Sequence, residues 1–255
     1  MFTDRTVLTE AYADRGPLAA RVSIYQWQQD RLDLASLVVD ALVDVRGTVL
    51  DAGCGLGTYV ERIQRARPDL GILALDLSAG MQPDVVGDVQ ALPLADASVG
   101  AALAMHMLYH VPDIPMAIRE LRRVIRPGGV LVVSTNGVDD KRELGQLYVD
   151  GVRDLTGISI EVPDPDARFT PDDAPLLRLV FDSVQVEVFE RETLVPDVEP
   201  VVAYIDSMRE LHAGLLPEAV TWDAFLATVR RRVTAEIETS GSWHMRNQVG
   251  LLVCR

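Results

Sequence analysis

The stretch VLDAGCGLGTYV, residues 49–60, decides the fold. With Thr48 in front of it, its opening reads as a short β-branched, apolar strand that stops in glycines, and from Thr58 a helical pattern runs to Ala66, short of Pro68. Gly53, Gly55 and Gly57 fall at the strand-to-helix turn. Glycine there lets the backbone adopt φ > 0 and a ligand approach with no Cβ in the way, while the helix start supplies free N–H groups. Working outward, Leu34 to Leu42 places apolar residues at 34, 37, 38, 41 and 42 on one helical face, and GILALD at residues 71–76 is a second buried strand. A βαβ unit is complete by Asp76.

The alternation continues with strands at Val85 to Asp88 and Val99 to Met105, a helix from Ile114 to Arg126 and a strand from Val130 to Thr135. That helix is signalled by Asp113 as N-cap, Pro115 in the first turn and Pro127-Gly128-Gly129 as a stop. Strands apolar on both faces that alternate with helices predict a doubly wound α/β domain with a parallel sheet covered on both sides. Beyond Thr135 the pattern predicts a helix over Asp139 to Leu155, a Pro/Asp-rich loop over Glu161 to Asp166, and a capped helix start at Thr170 to Asp173 before Leu176 to Val180. A half-exposed strand over Ser183 to Phe189, helices over Asp197 to Leu211 and Glu218 to Ile237, and a last strand over Gln248 to Cys254 complete the chain. The expected organisation is an N-terminal helical cap at 1–46, a cofactor-binding core at 47–135, and a remainder at 136–255 whose added helices shape a substrate pocket.

Of the 255 residues 38 are Asp or Glu and 24 are Lys or Arg, a formal net charge of -14. That balance disfavours nucleic acid as a partner, because gripping phosphates takes clustered cations. Lys141 is the single lysine, so neither a Walker A loop nor a Tyr-x-x-x-Lys reductase site can be built. Near-exclusive use of Arg points to a GC-rich coding sequence, which suits a bacterial enzyme of secondary metabolism. Cys54 and Cys254 read as two buried, reduced thiols rather than a disulfide or a metal site. The opening MFTDRTVLTE is polar, and the longest nearly apolar run, Val99 to Val111, falls short of the roughly 20 residues of a membrane helix. The expectation is a cytoplasmic protein with a small-molecule substrate and no membrane or nucleic-acid partner.

Two nucleotide ligands compete for the glycine loop. A dinucleotide fingerprint needs a third glycine where Thr58 stands, and Asp51 would put a carboxylate near its pyrophosphate. A cationic adenosine derivative would instead welcome Asp51, with Asp76 accepting both ribose hydroxyls and Asp88 accepting from an adenine amino group.

In these residues the chain resembles the class I S-adenosylmethionine-dependent methyltransferases, in particular the ubiquinone/menaquinone type. VLDAGCGLGTY resembles the first motif, ALDLS the acidic second, GDVQALPLADASV the adenine-contact segment, and MLYHVPD with ELRRVIRPGGVLVVST the fourth and fifth strands. The resemblance covers residues 47–135. It implies S-adenosyl-L-methionine as cofactor and a seven-stranded, mostly parallel, Rossmann-like sheet whose last strand is antiparallel. It also implies Gly53 and Gly55 against the methionyl part, Asp51 near its ammonium, Asp76 at the ribose, Leu77 beside the adenine, Asp88 and Val89 framing it, and Met105 contacting the cofactor through its backbone. In related enzymes an aromatic N-terminal segment closes over the cofactor and a Tyr and an Arg often reach its carboxylate; Tyr12, Arg21, Tyr25 and Trp27 are the candidates here, with Arg21 counted among the cofactor-binding residues, and ordinary helix packing is their alternative role.

Methyl transfer is an in-line displacement, so much of its rate comes from holding the acceptor about 3 Å from the methyl group. A base matters where the acceptor must lose a proton. His110 follows the fourth strand and is the candidate base; capping the next helix is its alternative role, and Tyr109 and His106 are weaker candidates. His106 and His110 stand four apart, yet the segment reads as strand and loop and lacks the Glu of a zinc helix, so no metal is expected. Asn-Pro-Pro-Tyr, a mark of many amino-group methyltransferases, is absent after the fourth strand. Arg230 to Arg232, the one basic run, reads as a solvated helix face. The expected function is methyl transfer from S-adenosylmethionine to a small-molecule acceptor; the alternatives are a nicotinamide-dependent oxidoreductase and a non-catalytic methyltransferase-like binding protein.

Overall fold

The computed structural model describes residues 3–164 and 166–255. Its helices are α1 (Arg5–Ala11), α2 (Gly16–Ser23), α3 (Leu34–Ala41), α4 (Thr58–Ala66), α5 (Ile114–Val124), α6 (Arg142–Thr156), α7 (Ala174–Arg178), α8 (Val198–Asp206), α9 (Arg209–His212) and α10 (Trp222–Ser240). The strands are β1 (Thr48–Ala52), β2 (Gly71–Asp76), β3 (Val85–Val86), β4 (Val99–Met105), β5 (Ile125–Asn136), β6 (Val184–Val195) and β7 (Trp243–Cys254). They form one seven-stranded sheet in the order β3-β2-β1-β4-β5-β7-β6. The pairs from β3 to β5 are parallel and β7 runs antiparallel to β5, as the motifs imply.

The chain divides into two compact units. The sheet unit comprises Asp33–Val138, 166–189 and Val249–Arg255. Side chains alternate across a strand, so β1 sends Leu50 and Ala52 to one face and Val49 to the other. The first face packs against Ile118, Leu121 and Val124 of α5, and the second against Val38 of α3 and Ile63 of α4. Because α3 joins this core, the unit begins at Asp33 rather than after residue 46. The helical unit comprises the described residues up to Leu32, Asp139–Asp164 and Glu190–Gln248. Its own core joins Tyr148 and Val152 of α6, Val201 and Ile205 of α8, and Phe225 and Val229 of α10.

Several boundaries differ from the sequence expectation. α5 ends at Val124, and β5 has already begun at Ile125, so Pro127-Gly128-Gly129 is a bulge inside the strand. Val99 pairs with Ile125 but Ala101 with Val130, which leaves the extra residues looped out. A Cβ at Gly129 would stand 2.5 Å from the Gly100 carbonyl, so the bulge requires glycine. β3 is cut to two residues. The helix expected over Asp197 to Leu211 breaks at Ser207 and Met208 into α8 and α9, and α10 starts at Trp222 with Thr221 as N-cap instead of at Glu218. The capped start at Thr170 is present: Asp173 Oδ2 accepts the Thr170 N–H at 2.8 Å. Pro165, within the expected Pro/Asp-rich loop, lies outside the described residues. Both cysteines are buried and free. Among the described residues no helix is long and apolar enough to cross a membrane.

Candidate cofactor site

β1 lies between β2 and β4, and from it the chain winds outward to β2 and β3 on one side and to β4 and β5 on the other. The carboxyl ends of β1 and β4 therefore flank the switch in winding direction, where a doubly wound sheet leaves a crevice. The loops after these strands touch. Gly53, with φ +74°, has no room for a side chain, because a Cβ there would meet the Cβ and Cγ of Met107 at 3.0 Å. Gly55 (φ +50°) and Gly57 (φ +75°) continue the left-handed path, and Gly57 caps α4 without a side chain.

Two residues before Gly53, Asp51 is completely buried, and neither carboxylate oxygen meets a hydrogen-bond donor among the described residues. It shares the strand face of Val49, where the pattern would place another aliphatic side chain. Burial, with a contribution from the charge of Asp76, pushes its pKa up to about 7. An unpaired buried carboxylate is costly unless a cation or a set of donors completes it. The Tyr59 phenol is raised by burial and then by the charge of Asp51, and a hydrogen bond with Ser134 opposes this. Cys54 is raised to about 12, by burial before the charges of Asp51 and Asp76, and so remains a neutral thiol.

Asp76 closes the loop from β2. Its Oδ2 accepts the Gly55 N–H at 3.0 Å and its Oδ1 accepts the Ser78 N–H at 2.9 Å. Each oxygen keeps acceptor capacity for a further donor. Leu77, half-buried, follows directly. Asp88 caps the single turn Val89–Ala91; Gln90 donates to it through its backbone at 2.9 Å and through its side-chain amide at 3.1 and 3.2 Å. Val89 is buried in the core beneath.

β4 ends at Met105, which is buried and pairs with Ser134 of β5. His106 then turns into the left-handed region at φ +53°, and its N–H donates to the Ser134 carbonyl at 2.9 Å. His110 ends the turn Leu108–His110, half-buried, with its ring edge-on to Tyr109 at 4.6 Å. The structure thus brings Asp51, Gly53, Gly55 and Asp76 together on adjoining strand ends. Arg21 belongs to the helical unit, where one guanidinium nitrogen donates to the Ser207 carbonyl.

Three supporting residues escaped the sequence reading. Arg168 donates to the carbonyls of Tyr109 and Val111 at 2.5 and 2.9 Å and so fixes the turn that carries His110. Arg123 donates to the carbonyls of Leu92 and Leu94 at 3.0 and 2.8 Å, and Glu120 accepts the Leu92 N–H at 2.9 Å. These partners lie 28 to 59 residues apart, so no local pattern announces them.

Comparison with known proteins agrees with this geometry. Residues 50–133 match the family model described as a methyltransferase domain. A malonyl-[acyl-carrier protein] O-methyltransferase of Serratia marcescens is 38% identical over 117 residues, which are 41% of this chain and 45% of the relative. The chain spans about half the length of the curated relatives it matches. A Bacillus halodurans protein described as a methyltransferase superposes with a TM-score of 0.55 at 17% identity, covering 88% of this chain and 98% of its own. A Haemonchus contortus phosphoethanolamine N-methyltransferase, solved with S-adenosylhomocysteine, superposes with a TM-score of 0.55 at 15% identity, covering 100% of this chain and 60% of its own. The strand order and the glycine loop agree with the matched family model.

Proposed function

We propose, from the premise that this chain carries a class I S-adenosylmethionine-dependent methyltransferase domain, that it binds S-adenosylmethionine at the β1–α4 loop and methylates a small-molecule acceptor. Asp51 carries this reading. Its buried oxygens meet no donor among the described residues, and burial raises its pKa to about 7, so its negative charge is costly until a cation such as an ammonium group completes it. A pyrophosphate at the same place would add negative charge beside a carboxylate, so the donor set fits a cation-bearing adenosine derivative.

The cofactor, when bound, supplies a methyl group on a cationic sulfur. The chain's own residues bind and orient. Gly53 and Gly55 let the backbone lie against the methionyl part, and Asp51 holds its ammonium. Asp76 accepts the ribose hydroxyls while it keeps Gly55 in place. Leu77, Asp88 and Val89 frame the adenine, and Met105 offers its backbone at the end of β4. His110 takes up the acceptor's proton where the acceptor has one to lose, and Arg168 holds the turn on which it stands.

The curated relatives act, by name, on a malonyl group carried by a protein. Their similarity covers 41% of this chain, so a free small molecule, of the kind met in bacterial secondary metabolism, remains the acceptor proposed here.

Calorimetric titration with S-adenosylhomocysteine tests the reading. Micromolar binding by the wild type, weakened at least ten-fold in Asp51→Asn, is the expected result. No heat of binding at about 1 mM ligand, which would mean an affinity weaker than about -4 kcal/mol, overturns it.

A further inference from the structure

Tyr59, in the first turn of α4, is a titratable group of the sheet unit to which the cofactor reading gives no task. Its side chain is half-buried and packs against the cluster that joins Val49, Leu103, Met105 and Val132. Strand register places two polar groups on that same face. Asp51 pairs with Leu103 across β1 and β4, and Ser134 pairs with Met105 across β4 and β5. Because side chains alternate along a strand, Asp51 stands in line with Val49 and Ser134 with Val132. Both are completely buried, and the Tyr59 ring lies on the face that holds them.

A phenol has one proton to give, and two groups on this face could take it. The charge of Asp51 acts on the Tyr59 hydroxyl, yet neither Asp51 oxygen has a hydrogen-bond partner among the described residues. The hydroxyl's side-chain hydrogen bond is with Ser134 instead. Ser134 Oγ also accepts the His106 N–H at 3.1 Å, and a hydroxyl oxygen has two lone pairs, so it can accept from both. We propose that Ser134 is a positioning residue: by accepting the Tyr59 proton it turns that donor away from Asp51 and keeps both carboxylate oxygens open to the cofactor's ammonium. The inference rests on the cofactor reading above and adds to it the device that leaves the ammonium partner uncommitted.

The opposite arrangement has a definite consequence. A phenol that donated to Asp51 would stabilise the charged carboxylate and lower its pKa. Asp51 would then be ionised and partnered before any ligand arrived, and a cation would gain less by docking on it. The other groups around Asp51 do not replace Tyr59 as donor. Asp76, from β2, is a second carboxylate whose charge only raises the Asp51 pKa, and Cys54, in the glycine loop, offers no more than a weak S–H. Leu103 and Met105 of β4 bring no side-chain donor.

Two measurements on the full chain read the state of Asp51 independently: thermal unfolding without ligand from pH 4 to pH 8, and the proton released when S-adenosylhomocysteine binds at pH 7. Ser134→Ala frees Tyr59 to donate to Asp51, while the carbonyl of residue 134 still accepts the His106 N–H at 2.9 Å. The Tm of this variant should fall less than that of the wild type across the range, by about 3–6 °C, and the released proton should drop from about a half to about a tenth or less. Adding Tyr59→Phe to Ser134→Ala should restore both wild-type values, a rescue that a general loosening of the fold would not produce. Tyr59→Phe alone should leave the titration of Asp51 as it is in the wild type. A Ser134→Ala profile equal to that of the wild type, or a double variant that behaves like Ser134→Ala, overturns the proposal. So does a Tyr59→Phe protein whose Tm falls more steeply than the wild type's, because Tyr59 would then already donate to Asp51; this comparison holds even where Ser134→Ala fails to fold. Failure of the wild type to bind S-adenosylhomocysteine, with the Tm rescue intact, would instead sink the cofactor reading and leave Tyr59 and Ser134 as a pair that sets the charge of Asp51.

Discussion

Asp76 Oδ2 accepts the Gly55 N–H at 3.0 Å, so a carboxylate at the end of β2 holds the loop that follows β1. The residue proposed to bind the ribose also shapes the loop proposed to receive the cofactor. Asp76→Ala removes both functions. Charge-assisted hydrogen bonds contribute about 1.5–3 kcal/mol each, so S-adenosylhomocysteine affinity should fall at least ten-fold. Calorimetry on the folded variant checks this, and an unchanged Kd would remove Asp76 from the ribose.

Asp51 should make the unliganded protein less stable as pH rises. Its folded pKa is raised from 3.8 to about 7, so the stability it contributes is full below pH 3.8 and is lost as pH climbs through 7. A rise of that size corresponds to about 4 kcal/mol at most. Asp51→Asn cannot ionise, and its Tm advantage over the wild type should therefore grow between pH 4 and pH 8 and then level off. A Tm difference independent of pH would show that Asp51 is ionised throughout, or already paired.

The same proton links binding to pH. If an ammonium group docks on Asp51, the carboxylate must ionise, and S-adenosylhomocysteine binding at pH 7 should release about half a proton. Below pH 7 the affinity should fall by up to ten-fold per pH unit from this group, and Asp51→Asn should lose that dependence. Titrations in two buffers of different ionisation enthalpy measure the proton directly. Zero release at pH 7 would count against the ammonium contact.

The β1–α4–β2 unit was legible because its signals are local: an apolar run, glycines and a helix start within about twenty residues. α4 and β2 have the expected limits, and β4 likewise. The ends of β6 and β7 were harder to read. Trp243, Met245 and Asn247 alternate into the interior and extend β7 well before Gln248, yet His244 and Arg246 between them read as loop. Pro127-Gly128-Gly129 carried a true signal with the wrong meaning, since a glycine pair that stops a helix also permits a bulge. At the site, Asp51, Gly53, Gly55 and Asp76 were visible from spacing alone. Arg123, Glu120 and Arg168 were not, because each acts on backbone carbonyls or amides that only the fold brings within reach.

Glu120 and Arg123 should be needed for the segment proposed to frame the adenine without belonging to it. Arg123 bonds Glu120 at 2.7 Å and Asp96 at 2.8 Å while holding the carbonyls of Leu92 and Leu94. The segment so fixed continues from the Asp88–Val89 turn. Arg123→Met strips these bonds and leaves Glu120 with the Leu92 N–H alone. Since Arg123 is partly solvated, the expected loss of stability is about 1–2 kcal/mol, or about 2–8 °C in Tm. Hydrogen exchange should quicken at residues 88–96 and stay unchanged along β1, whereas a uniform increase would indicate global destabilisation instead of a loosened loop. The hydrogen bond from Arg123 holds the Glu120 pKa below its usual 4.5, so this carboxylate contributes stability above pH 4.5 that is lost as pH falls through its lowered value. Glu120→Gln should therefore cost Tm at pH 7 and progressively less toward pH 3, and an equal deficit at both pH values would mean that the glutamate's charge has no part in the clamp.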